Sequence, residues 1–360
     1  MNPEKTIPDH QKTHARCAGQ ATQPFNLAVD LCQRWAADRG RLALYYDDPH
    51  GQTSAYSFWD LQREANRLSN VLAALGTLAG DRVAIILSPR PEALIAPLAV
   101  CQMGAVAVLL ASDLPAPAIA RCLHDSAAHL AIVDAASLPR IRALRQQLPH
   151  LRQIISIAGS TGDSGVHSWP CVCEHASPRY TPRATTADDL AMLVYPDTTN
   201  AVAPRALPIA HGAVLAVLDK HVDAHDAFPQ TGDLLWSPIN WASAVWLKSV
   251  VLPTWHFGVP LLAANAGGDA HRIFALLEKY AVRNVVVTTE TLNAMLSAAP
   301  NARSAYDLEL RTLACIGEPP GQPVVHWARE QLGVALAQTP ADHRMPAFGP
   351  TKRQENDGPH

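Results

Sequence analysis

The segment YPDTTNAVAPRALPIAH, residues 195 to 211, sits between the apolar run LAMLVY and the helix-prone GAVLAVL. Connections of this kind hold phosphate in nucleotide-binding proteins, because backbone N–H groups converge there on a helix N-terminus. Thr198 and Thr199 supply hydroxyl donors, and Arg205 supplies a cation. The stretch has no glycine, so its backbone lacks the conformational freedom that phosphate loops exploit. On these residues alone three readings stay open: a working anion site, a decayed one, or an ordinary connection.

Other spacings carry less chemistry. In HVDAH, His221 and His225 lie one helical turn apart beside Asp219, Asp223 and Asp226, which is a metal-ligand spacing. Without the glutamate of an HExxH motif, the stretch reads as a solvated helix end. Cys171 and Cys173 form a C-x-C with no second pair, so they read as loop or buried thiols, and no metal site is expected. GSTGDSG (159 to 165) follows a strand-like run but lacks the Lys-Ser/Thr ending of a P-loop, and reads as a flexible linker. The minimum parts of a G-x-S-x-G hydrolase, a G-x-G-x-x-G dehydrogenase or a CxxC zinc module are missing.

Bulk properties narrow the class. The 360 residues are 48% hydrophobic and 17% charged, with a formal net charge of -3, enough for a large core and two subdomains. Basic residues are scattered, which argues against nucleic acid and against an anionic membrane as partners. No run approaches the roughly 18 to 20 apolar residues of a membrane span, and the N-terminus lacks a signal-peptide core, so the expected compartment is cytoplasmic. Seven cysteines without a secretion signal make a disulfide framework unexpected.

The elements that must position these residues follow an alternating pattern. Strand-like runs fall at 82 to 88, 105 to 111, 130 to 135, 153 to 158, 190 to 195, 233 to 239, 259 to 264, 284 to 289 and 312 to 317. Amphipathic stretches separate many of them, clearest in FWDLQREANRLSNVLAALG, where Leu61, Ala65, Leu68, Val71 and Leu72 share a face and Gly76 ends the helix. The fold class is therefore α/β, with two subdomains of mainly parallel sheet covered by helices. The Gly-, Ser-, Pro- and Thr-rich residues 159 to 189 read as the junction. The expected organisation is an N-terminal extension (1–24), a first subdomain (25–180), a second (181–340) and a disordered tail (341–360).

Several ordered segments go further. FNLAVDLCQRWAADRGRLALYYDD, SAYSFWDLQREANRLSNVLAALG, GDRVAIILSPRPEALIAPLAVCQMGAVAVLL, QTGDLLWSPINWA, RNVVVTTETLNAML and IGEPPGQPVVHWAREQLG together resemble the large N-terminal domain of the AMP-forming acyl-CoA synthetases, closest to their acetyl and medium-chain members. The resemblance implies ATP-dependent condensation of a short- or medium-chain carboxylic acid to an acyl-adenylate, then transfer to coenzyme A. It implies ATP/AMP, Mg2+, coenzyme A and a small carboxylate as ligands, and names no protein partner.

The family's phosphate loop reads YTSGTTGxPKG. Here the threonines and a Pro-cation pair remain as Thr198, Thr199 and Pro204-Arg205, but every glycine is replaced. Pro196 removes a donor, Asp197 adds negative charge, and the planar Arg205 cannot occupy the lysine's point. His211 matches a histidine just after the loop, or is simply a polar residue in a helix's first turn. Gly317, Glu318 and Pro319 keep the family's GEP turn, which borders adenine. YGQTE survives only as Ala337-Gln338-Thr339-Pro340: Thr339 still carries a hydroxyl for phosphate, while Pro340 replaces the Mg2+-binding glutamate. Trp236, Asn240, Trp241 and Trp246 fall where the family builds its acyl pocket and its approach to coenzyme A, although such spacing also suits core packing. Nothing after residue 340 matches the family's ribose motif, hinge or lysine-bearing C-terminal domain. The expectation is an AMP-binding, acyl-CoA synthetase-like protein that is impaired or inactive as this chain alone, or else a non-catalytic binding or regulatory module on the same fold.

Overall fold

A computed structural model describes residues 24–48, 51–159, 162–195 and 204–339. Its strands are β1 (Leu42–Asp47), β2 (Thr53–Ser57), β3 (Arg82–Ile86), β4 (Val106–Leu109), β5 (Leu130–Val133), β6 (Gln153–Ser156), β7 (Val166–Ser168), β8 (Leu190–Val194), β9 (Leu207–Ala210), β10 (Leu235–Trp236), β11 (Leu261–Ala264), β12 (Asn284–Thr288), β13 (Thr312–Ile316) and β14 (Leu336–Thr339). Each of the nine runs singled out in the sequence carries one of them. They form two seven-stranded sheets, ordered β7-β6-β5-β3-β4-β8-β9 and β14-β13-β12-β10-β11-β1-β2. Pairing is parallel except at one edge of each sheet, where β9 and β2 run antiparallel.

Strand alternation builds three cores. Val83, Ile85, Ala107 and Leu109 of the first sheet share the inner core with Leu235, Leu261, Val286 and Ala314 of the second. The helices Phe58–Ala74 and Pro91–Gln102 contribute to it, so the two sheets close around a common helical layer. Ala84, Ile86 and Val108 face outward onto Ile119, Leu123 and Ile141. Val285, Val287, Leu313 and Cys315 face outward onto Phe274, Leu277 and Trp327. The result is an α-β-α-β-α stack of two α/β units.

The sheets do not divide at residue 180. β1 and β2 leave the N-terminal part of the chain to edge the second sheet, and β8 and β9 complete the first. Leu44 pairs with Leu261 and Val108 with Leu193, contacts that local composition cannot reveal. The 159 to 189 segment is likewise more than a linker. It holds β7 and the helix Trp169–Glu174, whose Trp169 and Cys173 are buried. Its carbonyls are held from the helix Phe58–Ala74: Arg67 donates to Cys173, Glu174 and Ala176, Asn66 to Pro178, and Asn70 to Ser177 and Arg179. The expected extension and tail fall almost wholly outside the described residues.

The helix Phe58–Ala74 follows its sequence closely. Ser57 and Asp60 form a reciprocal capping box, and Leu61, Ala65, Leu68, Val71 and Leu72 are all buried. Gly76 ends it with a φ of 89°, a conformation open to glycine.

Candidate active site

The second sheet ends its parallel strands side by side. Thr288 closes β12, Ile316 closes β13 and Thr339 closes β14, with Thr288 paired to Ile316 and Ile316 to Thr339. Open parallel sheets bind ligands outside these carboxyl ends. A crevice of about 630 Å3 lies there, walled by Asn240, Ser243, Val245, Thr288, Ile316 and Glu318. Gly317 lines it too, at a φ of 108° that a side-chain-bearing residue adopts only with strain.

The floor of the crevice is fixed from the neighbouring strand. Thr288 caps the helix Thr289–Ala298 by accepting the Thr291 N–H, and the Thr289 hydroxyl donates to the Glu318 carbonyl. Across the gap, Asn240 Oδ1 accepts from the Ala242 N–H at 2.9 Å, and its carbonyl accepts from Ser243 Oγ at 2.7 Å. Ser243 then caps the short helix beginning at Ala244. Glu290 and Asn293 complete the wall. Among the described lining residues there are two carboxylates and no lysine or arginine.

The residues singled out from sequence scatter around this crevice unequally. Asn240, Gly317 and Glu318 meet across it, and the pairing of β13 with β14 sets Thr339 beside Ile316. Pro319 follows as an exposed continuation of the turn. Thr198 and Thr199 lie outside the described residues. Arg205 is exposed just before β9, so the segment joins a strand to a strand rather than directly to a helix. Trp236 is no pocket wall: it is wholly buried in the outer core, and its Nε1 donates to the Ala264 carbonyl at 3.2 Å. In the two-residue β10, Leu235 faces the inner core and Trp236 must point away. Trp241 stacks on Trp246, with ring centroids 4.8 Å apart, and the pair walls a separate apolar cavity of about 50 Å3 with Leu27, Leu94 and Leu109.

His211 opens a short 3-10 helix but is fully buried, with Nδ1 accepting the Leu27 N–H at 3.0 Å. Burial pushes its pKa down to about 4, so the ring is a neutral acceptor that ties the N-terminal segment down. His221 and His225 do not form a solvated helix end. Both are buried, with ring centroids 4.5 Å apart. Thr288, Thr289 and Glu290 were not singled out as site residues from sequence, where Thr288 and Thr289 merely ended the strand-like run 284 to 289 with nothing to place them against Gly317.

Residues 32–341 match the family model described as AMP-binding enzyme. The chain belongs to that family. It is 26% identical over 336 residues to the acetyl-coenzyme A synthetase of Rhodobacter capsulatus, covering 86% of this chain and 50% of that protein. It is 25% identical over 337 residues to the acetyl-coenzyme A synthetase of Mycolicibacterium smegmatis, covering 86% of this chain and 35% of that protein. The chain thus spans about half or less of the length of these curated relatives. The fold matches the crystal structure of a Brucella canis acyl-CoA synthetase with a TM-score of 0.82 at 22% identity, covering 93% of this chain and 60% of that one. An anthranilate CoA ligase in complex with anthranoyl-AMP matches with a TM-score of 0.78 at 20% identity, covering 87% and 59%. These likenesses fit the two sheets and flanking helices of an acyl-CoA synthetase N-terminal α/β domain.

Proposed function

We propose that the crevice at the ends of β12 and β13 binds the adenosine end of an acyl-adenylate or of AMP, with the acyl group beside Asn240 and Val245. The observation that carries this is the Gly317–Glu318 turn, which faces Asn240 across one crevice in a chain of the AMP-binding enzyme family. The ancestral reaction on this reading is ATP-dependent activation of a carboxylate and its transfer to coenzyme A, as the names of the relatives imply for those proteins.

The chemistry of this chain favours the nucleoside monophosphate over the triphosphate. Glu290 and Glu318 repel a polyanion, the 195 to 206 stretch offers no glycine, and Pro340 has no carboxylate for Mg2+. We therefore assign it a binding role, with adenylation impaired or lost; a non-catalytic module on this fold is the form that role takes. Isothermal titration calorimetry with AMP and with ATP-Mg2+ tests the reading. AMP should bind more tightly, and tighter binding of ATP-Mg2+ overturns it.

A further inference from the structure

A second, smaller cavity of about 40 Å3 lies beneath the crevice, between the helix Leu218–Ala224 and the same face of β12 and β13. Val286, Ala314 and Ile316 form its sheet wall, and His221, His225 and Ser249 face them. Ile316 lines both spaces, so they are neighbours at that side chain. Thr288 and Ile316 stand at the crevice, while Val286 and Ala314 stand two residues deeper, about 7 Å along the strands.

The deeper cavity has a polar end built into an apolar wall. His225 Nδ1 lies 2.7 Å from Thr312 Oγ1, whose own hydrogen goes to Asn284 Oδ1 at 2.8 Å. His225 therefore carries its proton on Nδ1 and presents Nε2 as a lone-pair acceptor. His221 Nε2 is fully buried and makes no hydrogen bond of good geometry among the described residues, the Ser249 backbone being the one polar group that favours the ring's protonated form. A buried polar atom left in that state costs free energy that a ligand can recover.

The geometry points to this cavity as the receptor for the distal end of the acyl substrate, selecting an aliphatic acid that carries a hydroxyl there. This rests on the proposed placement of the acyl group beside Asn240 and Val245. A hydroxyl both donates and accepts, so it satisfies His221 Nε2 in either tautomer; when that nitrogen carries the proton, the hydroxyl accepts it and gives its own single hydrogen to His225 Nε2. A distal carboxylate only accepts and meets the lone pair of His225. A distal ammonium meets Lys220 and Lys248, which also line the cavity. A plain methyl leaves His221 as it is.

Calorimetry with hexanoate, 6-hydroxyhexanoate, octanoate and 8-hydroxyoctanoate, each with and without saturating AMP, tests this. One hydroxy acid should bind about tenfold more tightly than its unsubstituted partner, the gain expected from one or two buried hydrogen bonds. His221→Phe should abolish that preference while keeping affinity for the plain acid. His221→Gln, which retains a donor and an acceptor, should preserve it and covers the case in which the phenylalanine variant fails to fold. Ile316→Trp should block both acids. Equal or weaker binding of the hydroxy acids, no binding of any acid, or a preference that survives His221→Phe overturns the assignment. AMP titrations report on the crevice separately: hydroxyl preference without AMP binding rejects the nucleotide reading alone, and AMP binding without preference rejects this one alone.

Discussion

Two stretches leave the carboxyl ends of strands and differ in what they retain. After β13, Gly317 keeps a backbone conformation suited to glycine, and the Thr289 hydroxyl holds the turn through the Glu318 carbonyl. After β8, the chain passes from Tyr195, whose buried hydroxyl is tied to Asp125 at 2.7 Å, into a stretch without glycine that carries Pro196 and Asp197. A nucleoside needs shape and a few hydrogen bonds, whereas a triphosphate needs convergent N–H donors and positive charge. On the proposed reading, sequence change that removed only the second set would leave a fold that holds the nucleoside without supporting phosphoryl chemistry.

The largest expected effect concerns turnover. The chain should form no acyl-CoA from acetate, butyrate or medium-chain acids with ATP, and an ATP-dependent rate above a no-enzyme control would break the contrast.

Next comes acid, which tests whether both stretches rest on neutral histidines. His211 lies just beyond the first stretch and His225 beneath the second; each has a folded pKa near 4, against an ordinary value of 6.5, because burial penalises its charged form. Below pH 6.5 the unfolded chain takes up protons that the folded chain refuses. Stability should therefore fall as pH drops from about 6.5 to about 4, by at most about 1.4 kcal/mol per pH unit for each histidine. Urea melts across that window check this, and a flat profile rejects it.

A substitution at the retained turn should cost less. Gly317→Val forces a branched side chain into a left-handed conformation and should cost about 1–3 kcal/mol in urea melts, with weaker AMP binding. Ala201→Gly should leave AMP affinity unchanged; equal losses in the two variants would erase the distinction.

The smallest effect sharpens the comparison. Replacing the glycine-free segment with TSGTTGPPKG should raise ATP affinity measurably while leaving AMP affinity and the absence of turnover unaltered. No change in ATP affinity in a folded graft would mean that YPDTTNAVAPR is an unrelated connection.

Much of the fold was legible because strands buried on both faces write continuous apolar runs. Most of the strands that escaped are short, polar or at edges, although the six-residue β1, LALYYD, lies inside its sheet and also fell outside the runs. β2 reads TSAYS and is mostly exposed, β9 contains Pro208 and β7 has three residues. At the site, Gly317 and Asn240 were legible through resemblance, while Trp236 was misplaced because only sheet pairing says which way a two-residue strand faces. His221 and His225 were misjudged for a related reason. Their acidic neighbours face away, and the rings pack against Phe228, at 4.7 Å and 5.9 Å between centroids, under a sheet that arrives much later in the chain. Thr289 carries no motif and acquires its role only when β12 and β13 align.

The early hairpin of β1 and β2 also sets an order of events. β1 emerges among the first described residues, yet its parallel partner is β11, with Leu44 meeting Leu261. The first sheet has all seven of its strands before β11 is made, so it can consolidate while β1 waits. Closure of the second sheet is then a long-range pairing, of the kind that slows folding because its loop entropy is lost before its contacts form. Until then Ala43 and Leu44, wholly buried at the end, lack their sheet partner and present an unpaired strand of the kind that invites aggregation or chaperone capture.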